Sequence, residues 1–182
     1  MKVTPLALPG VLLIEPRVFE DARGWFYESF NARAFREATG VDVDFVQDNH
    51  SRSARGVVRG LHYQLPPAAQ GKLVRAVAGT ITDVAVDVRR SSPTFGRSAS
   101  VELSAANRRQ LYIPPGFAHG FVALEDGTEL LYKTTDYYNP AAERAIRWDD
   151  PALAIAWPAG LEPLLAPKDA AAPLLAAADT FD

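Results

Sequence analysis

The punctuation of this chain constrains its fold more than any other feature. Short runs rich in β-branched and aromatic residues recur at close, even spacing, and Gly or Pro separates many of them. Residues 11–19, 23–30, 43–49, 56–64, 72–78, 80–88, 97–104, 109–113, 116–124 and 129–138 read as strands. Pro16 marks an edge or bend in the first. Pro114-Pro115-Gly116 and Asp126-Gly127 are turn signals. Segments 72–78 and 80–88 flank Gly79 and read as a hairpin. The clearest helix is expected over 31–40, with Asn31 as N-cap, Gly40 as the stop and Ala34, Phe35 and Ala38 as its apolar stripe. So many short strands predict a mainly β fold, a sandwich or barrel with few helices.

At 182 residues and 19.8 kDa, the folded chain should expose roughly 8,600 Å² and bury about 70% of its unfolded surface, enough for one domain over residues 1–182. No repeat or linker interrupts it. Residues 159–178 are rich in Ala and Pro and by composition alone read as a tail; Pro163, Pro167 and Pro173 forbid one long helix there. An apolar content of 48% with 23% charged residues excludes a disordered chain. The absence of Cys excludes disulfides, thiolate metal sites and a thiol nucleophile. A net charge of −3 with no Lys/Arg block speaks against nucleic-acid binding. No apolar run suits a membrane span, and Pro5 and Pro9 break the N-terminal stretch a signal peptide would need, so the expected location is cytoplasmic.

Strand parity places polar groups where a core is expected. In 80–88, Asp83 and Asp87 share a face with Ile81 and Ala85. In 72–78, Lys72 shares a face with Val74, Ala76 and Ala78; in 129–138, Tyr132, Thr134, Asp136 and Tyr138 lie together. A barrel with a polar interior mouth accounts for all three, although these faces could equally point outward. Of the three His, His62 and His119 lie in strand-like runs and His50 reads as structural. The chain has four Lys against fifteen Arg, so Lys72 stands out as a compact ammonium.

Several motifs occur in order: Gln47-Asp48-Asn49-His50-Ser51, Arg59-Gly60-Leu61-His62-Tyr63-Gln64, Gln70-Gly71-Lys72-Leu73-Val74, Asp83-Val84-Ala85-Val86-Asp87, Ser92-Pro93-Thr94-Phe95-Gly96, the Pro114–Phe121 segment, Tyr132-Lys133, Trp148-Asp149-Asp150-Pro151, Ile155-Ala156-Trp157-Pro158 and Lys168-Asp169. Through them the chain resembles the dTDP-4-dehydrorhamnose 3,5-epimerase family of cupin-fold sugar-nucleotide enzymes. The resemblance implies a jelly-roll β-barrel and an isomerase that needs no cofactor and no metal. It implies that His62 is the base beside the sugar ketone, that Asp169 orients it, that Tyr132 delivers a proton to the opposite face, and that Lys72 meets the oxyanion. It implies that Gln47, Asn49, Arg59, His119, Glu143 and Lys168, together with Arg23, contact the nucleotide sugar. Phe26, Glu28 and Tyr138 would hold the thymine. Arg23, Phe26 and Glu28 would reach across a homodimer interface with exchanged N-terminal strands, built from residues up to about 45, and residues 159–182 would fold back on the barrel.

The chemistry agrees with these roles. A ketone at C4 acidifies the hydrogens on C3 and C5, and the resulting enolate puts charge on its oxygen, where a fixed cation helps. Inversion requires a second proton carrier on the far face, and a neutral phenol can serve. Two positions resist parity: Arg59 and His62 should point to opposite faces, unless Gly60 marks a bulge or Arg59 serves a subunit boundary. Competing readings are an epimerase of C3 or C5 alone, a metal-dependent cupin and a non-catalytic sugar-nucleotide binder. A metal cupin usually carries H-x-H where this chain has His62-Tyr63-Gln64.

Overall fold

The computed structural model describes residues 1–182. Its elements in chain order are β1 (Lys2–Pro5), β2 (Leu12–Glu15), β3 (Phe19–Asp21), β4 (Gly24–Phe26), α1 (Ala32–Thr39), β5 (Gln47–Ser53), β6 (Val57–Gln64), β7 (Lys72–Ala78) and β8 (Thr80–Asp87). There follow β9 (Ser98–Ser104), β10 (Gln110–Ile113), β11 (Phe117–Ala123), β12 (Thr128–Thr134), β13 (Glu143–Ala145), β14 (Leu164–Leu165) and α2 (Pro167–Ala170). One sheet runs β1-β2-β10-β7-β12-β5 and the second runs β13-β6-β11-β8-β9, with β14 added parallel to β6. The two sheets face each other as a cupin jelly roll.

Apolar alternation builds the space between them. Val74, Ala76, Leu111 and Leu130 come from the first sheet, Ile81, Ala85, Phe117 and Phe121 from the second, and all are buried in one cluster. Burial of each large member stabilises the fold by about 1.5–3 kcal/mol. Strand β8 is apolar on its other face too: Val84 and Val86, with Leu61 and Ala118 beside them, pack under Ile146, Leu153, Leu175 and Ala178. The Ala/Pro-rich segment is therefore a cover and not a tail. Its backbone is held by the carboxylate of Asp150, which accepts from Leu175 N at 2.7 Å, and by the bond from Phe181 N to Val88 O at 3.0 Å. Asp150 also caps the turn at Pro151, whereas Asp149 pairs with Arg147.

The helix forms where its caps predict. Asn31 accepts from Ala34 N, and Gly40 adopts a left-handed conformation and donates to Arg36 O. Its Phe35 packs on Leu12, Ile14, Leu73 and Tyr112, covering the outer face of the first sheet. Val43 and Phe45 join that cluster from irregular chain, so the strand expected from residue 43 starts only at Gln47. The strand expected over 129–138 ends at Thr134, where its hydroxyl donates to Asp136 O and closes a turn.

The expected hairpin at Gly79 is overturned. Strand β7 is flanked by β10 and β12, and β8 by β11 and β9, so the two lie in opposite sheets. Gly79 makes the crossing with φ +68°, and a Cβ there would stand 2.4 Å from Thr128 Oγ1. A separate hairpin, β3–β4, lies outside both sheets, with Phe19, Trp25 and Phe26 at least half exposed.

Candidate active site

A cavity of about 500 Å³ opens at the end of the jelly roll, within the size range of small-molecule sites. The first sheet contributes Gln47 and Asn49 from β5, Lys72 from β7 and Tyr132 from β12. The facing sheet contributes Arg59 and His62 from β6, His119 from β11 and Glu143 from β13. The covering segment adds Lys168 and Asp169 from α2, and Tyr138 comes from the loop after β12.

How Arg59 and His62 reach one cavity is decided by a bulge. His62 pairs with His119 and Arg59 with Phe121, so three steps along β6 match two along β11. The extra residue reverses parity. Gly60 permits it, since a Cβ there would lie 2.5 Å from Gly120 Cα and 2.7 Å from His119 O, and φ is +122°. Arg59 then bonds Ser53 Oγ and Arg52 O at the cavity wall.

His62 Nε2 lies 2.6 Å from Asp169 Oδ1. With the carboxylate ionised, Nε2–H donates and the free lone pair sits on Nδ1. Asp169 is almost fully buried, which by itself would raise its pKa; the hydrogen bond and charge of His62 outweigh this and hold it below the usual carboxylate range. Lys72 is buried, and desolvation lowers its pKa to about 8, against the pull of Asp83 and Glu143. Its ammonium donates to His62 O at 3.2 Å, so it stands on the same side of the cavity as the imidazole backbone. Burial raises the Tyr132 phenol above its ordinary value, so it remains protonated at neutral pH. Burial lowers His119, which donates from Nε2 to Asp83 Oδ2 at 2.9 Å.

At the mouth, Glu143 accepts from Lys168 Nζ at 3.0 Å and from Tyr138 OH at 3.1 Å. Burial alone would raise Glu143, yet those two bonds bring it below the usual range, leaving a carboxylate. Arg23, Phe26 and Glu28 are not brought to this cavity. Arg23 pairs with Asp21 at 2.6 Å, Phe26 is exposed, and Glu28 accepts from Asn31. Asp83 was visible in the sequence only as a polar group on a buried face, with no sign of its partner. Asp87 shares that face but leaves the cavity: it accepts from Arg89, Ser92 and Thr94, which bring its pKa to about 2 despite burial. Ser51, Gln64, Gln70, Leu164, Leu165 and Ala166 also line the cavity and were not among the expected site residues. His50 lies outside, bonded to Glu129. No three His, Asp or Glu side chains are disposed to hold a metal ion.

A jelly roll with a His on one sheet backed by a carboxylate from the covering segment, and a partly buried phenol on the other sheet, is the framework of a cupin-type epimerase, an isomerase class that moves protons at carbon. The dTDP-4-dehydrorhamnose 3,5-epimerase profile matches residues 5–177. The chain is 61% identical over 181 residues to the dTDP-4-dehydrorhamnose 3,5-epimerase of Pseudomonas aeruginosa, covering 100% of this chain and 99% of that protein. It superposes with a TM-score of 0.94 on a Legionella pneumophila dTDP-6-deoxy-D-glucose-3,5-epimerase in complex with dTDP-4-keto-L-rhamnose, at 50% identity, with 98% and 94% of the two chains covered. A 3'-monoepimerase from Streptomyces bikiniensis in complex with dTDP-quinovose superposes with a TM-score of 0.90, at 41% identity, covering 97% of this chain and 88% of that one. The chain belongs to the dTDP-4-dehydrorhamnose 3,5-epimerase family.

Proposed function

We propose that this chain epimerises dTDP-4-dehydro-6-deoxy-D-glucose at C3 and C5, giving dTDP-4-dehydro-L-rhamnose. The observation that carries the reading is the placement of His62 and Tyr132 on facing sheets of one cavity, with Asp169 bonded behind His62. His62 Nδ1 takes the proton from the carbon beside the ketone, and Asp169 stabilises the imidazolium that forms. The C–H electron pair moves into the enolate, and Lys72 neutralises the oxygen that gains charge. Tyr132 returns a proton to the opposite face of the carbon. Each inversion leaves His62 one proton richer and Tyr132 one poorer, and both reset by exchange with solvent.

Arg59, His119, Gln47, Asn49, Lys168 and Glu143 contact the diphosphate and ring hydroxyls in this reading, and Tyr138 stacks on the base. The exposed aromatics of β3–β4 fit an exchanged arm: Arg23, Phe26 and Glu28 reach the partner's cavity in a homodimer whose interface uses residues up to about 45. The same reading puts the enzyme in the cytoplasm, a location that cell fractionation tests.

The deciding assay incubates the 4-keto sugar nucleotide with enzyme in D₂O and counts deuterium in the product. Label at both C3 and C5 is expected. Label at one carbon alone selects a single epimerisation, the activity carried by the S. bikiniensis relative. No label at either carbon rejects the reading.

A further inference from the structure

The chain has four glutamines, and three of them hold one loop. Between β12 and β13 the residues from Thr135 to Ala142 form no strand. Four consecutive residues of this loop each give one backbone group to a glutamine side chain. Gln70 Nε2 donates to Asp136 O at 2.8 Å. Gln64 Nε2 donates to Tyr137 O at 3.1 Å, and its Oε1 accepts from Asn139 N at 2.9 Å. Gln47 Oε1 accepts from Tyr138 N at 3.0 Å. The three arise from separate places: Gln47 from β5, Gln64 from the end of β6 in the facing sheet, and Gln70 from the link into β7.

Backbone groups outside a ladder need partners, from other backbone, from side chains or from water. Here fixed side chains supply them from both sheets. Gln64 is nearly fully buried, and its second amide hydrogen reaches Ala68 O at 2.6 Å. An amide suits this task because it donates and accepts without charge. A carboxylate would repel both carbonyls and any anionic ligand nearby.

We infer that Gln64 and Gln70 are positioning residues that act with Gln47 to fix the 136–139 loop and so aim Tyr138 at the nucleotide end of the cavity. This rests on the nucleotide-sugar reading above. Residue 64 occupies the position where a metal cupin would offer its second His, and its amide is turned to backbone instead. The side-chain bonds of Gln64 and Gln70 go to backbone groups and not to His62, Lys72 or Tyr132. Loosening the loop therefore costs ground-state binding of the nucleotide and leaves proton transfer at saturation largely intact.

The test compares wild type with Gln70→Leu and Gln64→Glu, each checked for a folded spectrum. Calorimetry measures Kd for dTDP, and steady-state assays separate kcat from KM. We expect Kd and KM to rise by about tenfold in each variant, with kcat changed less than about threefold. In Gln64→Glu the deficit relative to wild type should shrink at acid pH, where a protonated carboxyl regains one donor for Tyr137 O. Unchanged Kd in a folded variant, or a fall in kcat with KM unchanged, overturns the inference. If Gln64→Glu does not fold, Gln70→Leu decides alone, since it removes a single bond at a partly exposed site. Failure of wild type to bind dTDP would instead reject the nucleotide reading itself.

Discussion

At Lys72 a buried charge costs stability, and the proposed mechanism uses that charge. Its pKa is lowered to about 8 by burial, so the unfolded chain binds the proton more tightly than the folded one. The charged form therefore costs about 3 kcal/mol at neutral pH. The sign follows: this cost is full below pH 8 and fades as pH rises toward 10.5, where the unfolded chain also loses its proton. Lys72→Met should raise stability at pH 7 by up to about 3 kcal/mol in urea unfolding, with the gain vanishing near pH 10.5, while kcat falls about 10²–10³-fold. A variant less stable at pH 7 would contradict the desolvation account. Asp169→Asn keeps the shape but removes the anion behind His62. It should lower kcat by about 10²–10⁴-fold with little change in dTDP affinity. An unchanged rate would remove Asp169 from the dyad. At this scale the sequence was informative through residue type: a scarce Lys, a scarce His and a Tyr on a buried face each marked the cavity. Local pattern does not give the partner of His62, since Asp169 lies 107 positions away; only the family resemblance named it.

At the scale of elements, Gly60 and Gly79 separate two uses of the same residue. Both adopt positive φ, and at both a Cβ would meet atoms within 2.6 Å. At Gly60 the obstacle is backbone of the neighbouring strand; at Gly79 it is the Thr128 side chain. Gly60→Ala should cost roughly 2–4 kcal/mol and push His62 and Arg59 out of register. Turnover of the folded fraction should then fall at least as steeply as stability. Gly79→Ala lies away from the cavity and should lower the unfolding midpoint while the folded fraction keeps its kcat. Equal loss of turnover in both variants would show that the bulge does not serve the site. Strand alternation showed which residues of β7, β8 and β12 share a face, because a two-residue period follows from chain geometry, and left open whether that face points inward. It failed across Gly60, where an inserted residue resets the period, and at Gly79, where glycine between two strands signals a turn of either kind.

For the whole molecule, the surface is 9219 Å², above the roughly 8,600 Å² typical of a monomer of this mass. Exposed Phe19, Trp25 and Phe26 on the β3–β4 arm account for part of that excess. If Arg23 on this arm serves the partner's cavity, two inactive chains can repair each other. Arg23→Ala paired with His62→Ala would form mixed dimers carrying one complete cavity. Co-refolding the two in equal amounts should restore about a quarter of wild-type activity, since half the dimers are mixed and each has one good site. Sedimentation should report a dimer throughout. No recovery, or a monomer, would reject the exchanged arm.

The sequence by itself determined the mainly β class, the caps of α1 and which residues of β7, β8 and β12 share a face. These depend on local geometry and residue chemistry, both written within a few positions. Only the tertiary structure decided that β7 and β8 part into opposite sheets, that a bulge brings Arg59 beside His62, and which apolar side chains of β8 the Ala/Pro-rich segment covers. Each of those outcomes depends on which distant surface offers a buried partner, and that is settled by packing across the whole chain.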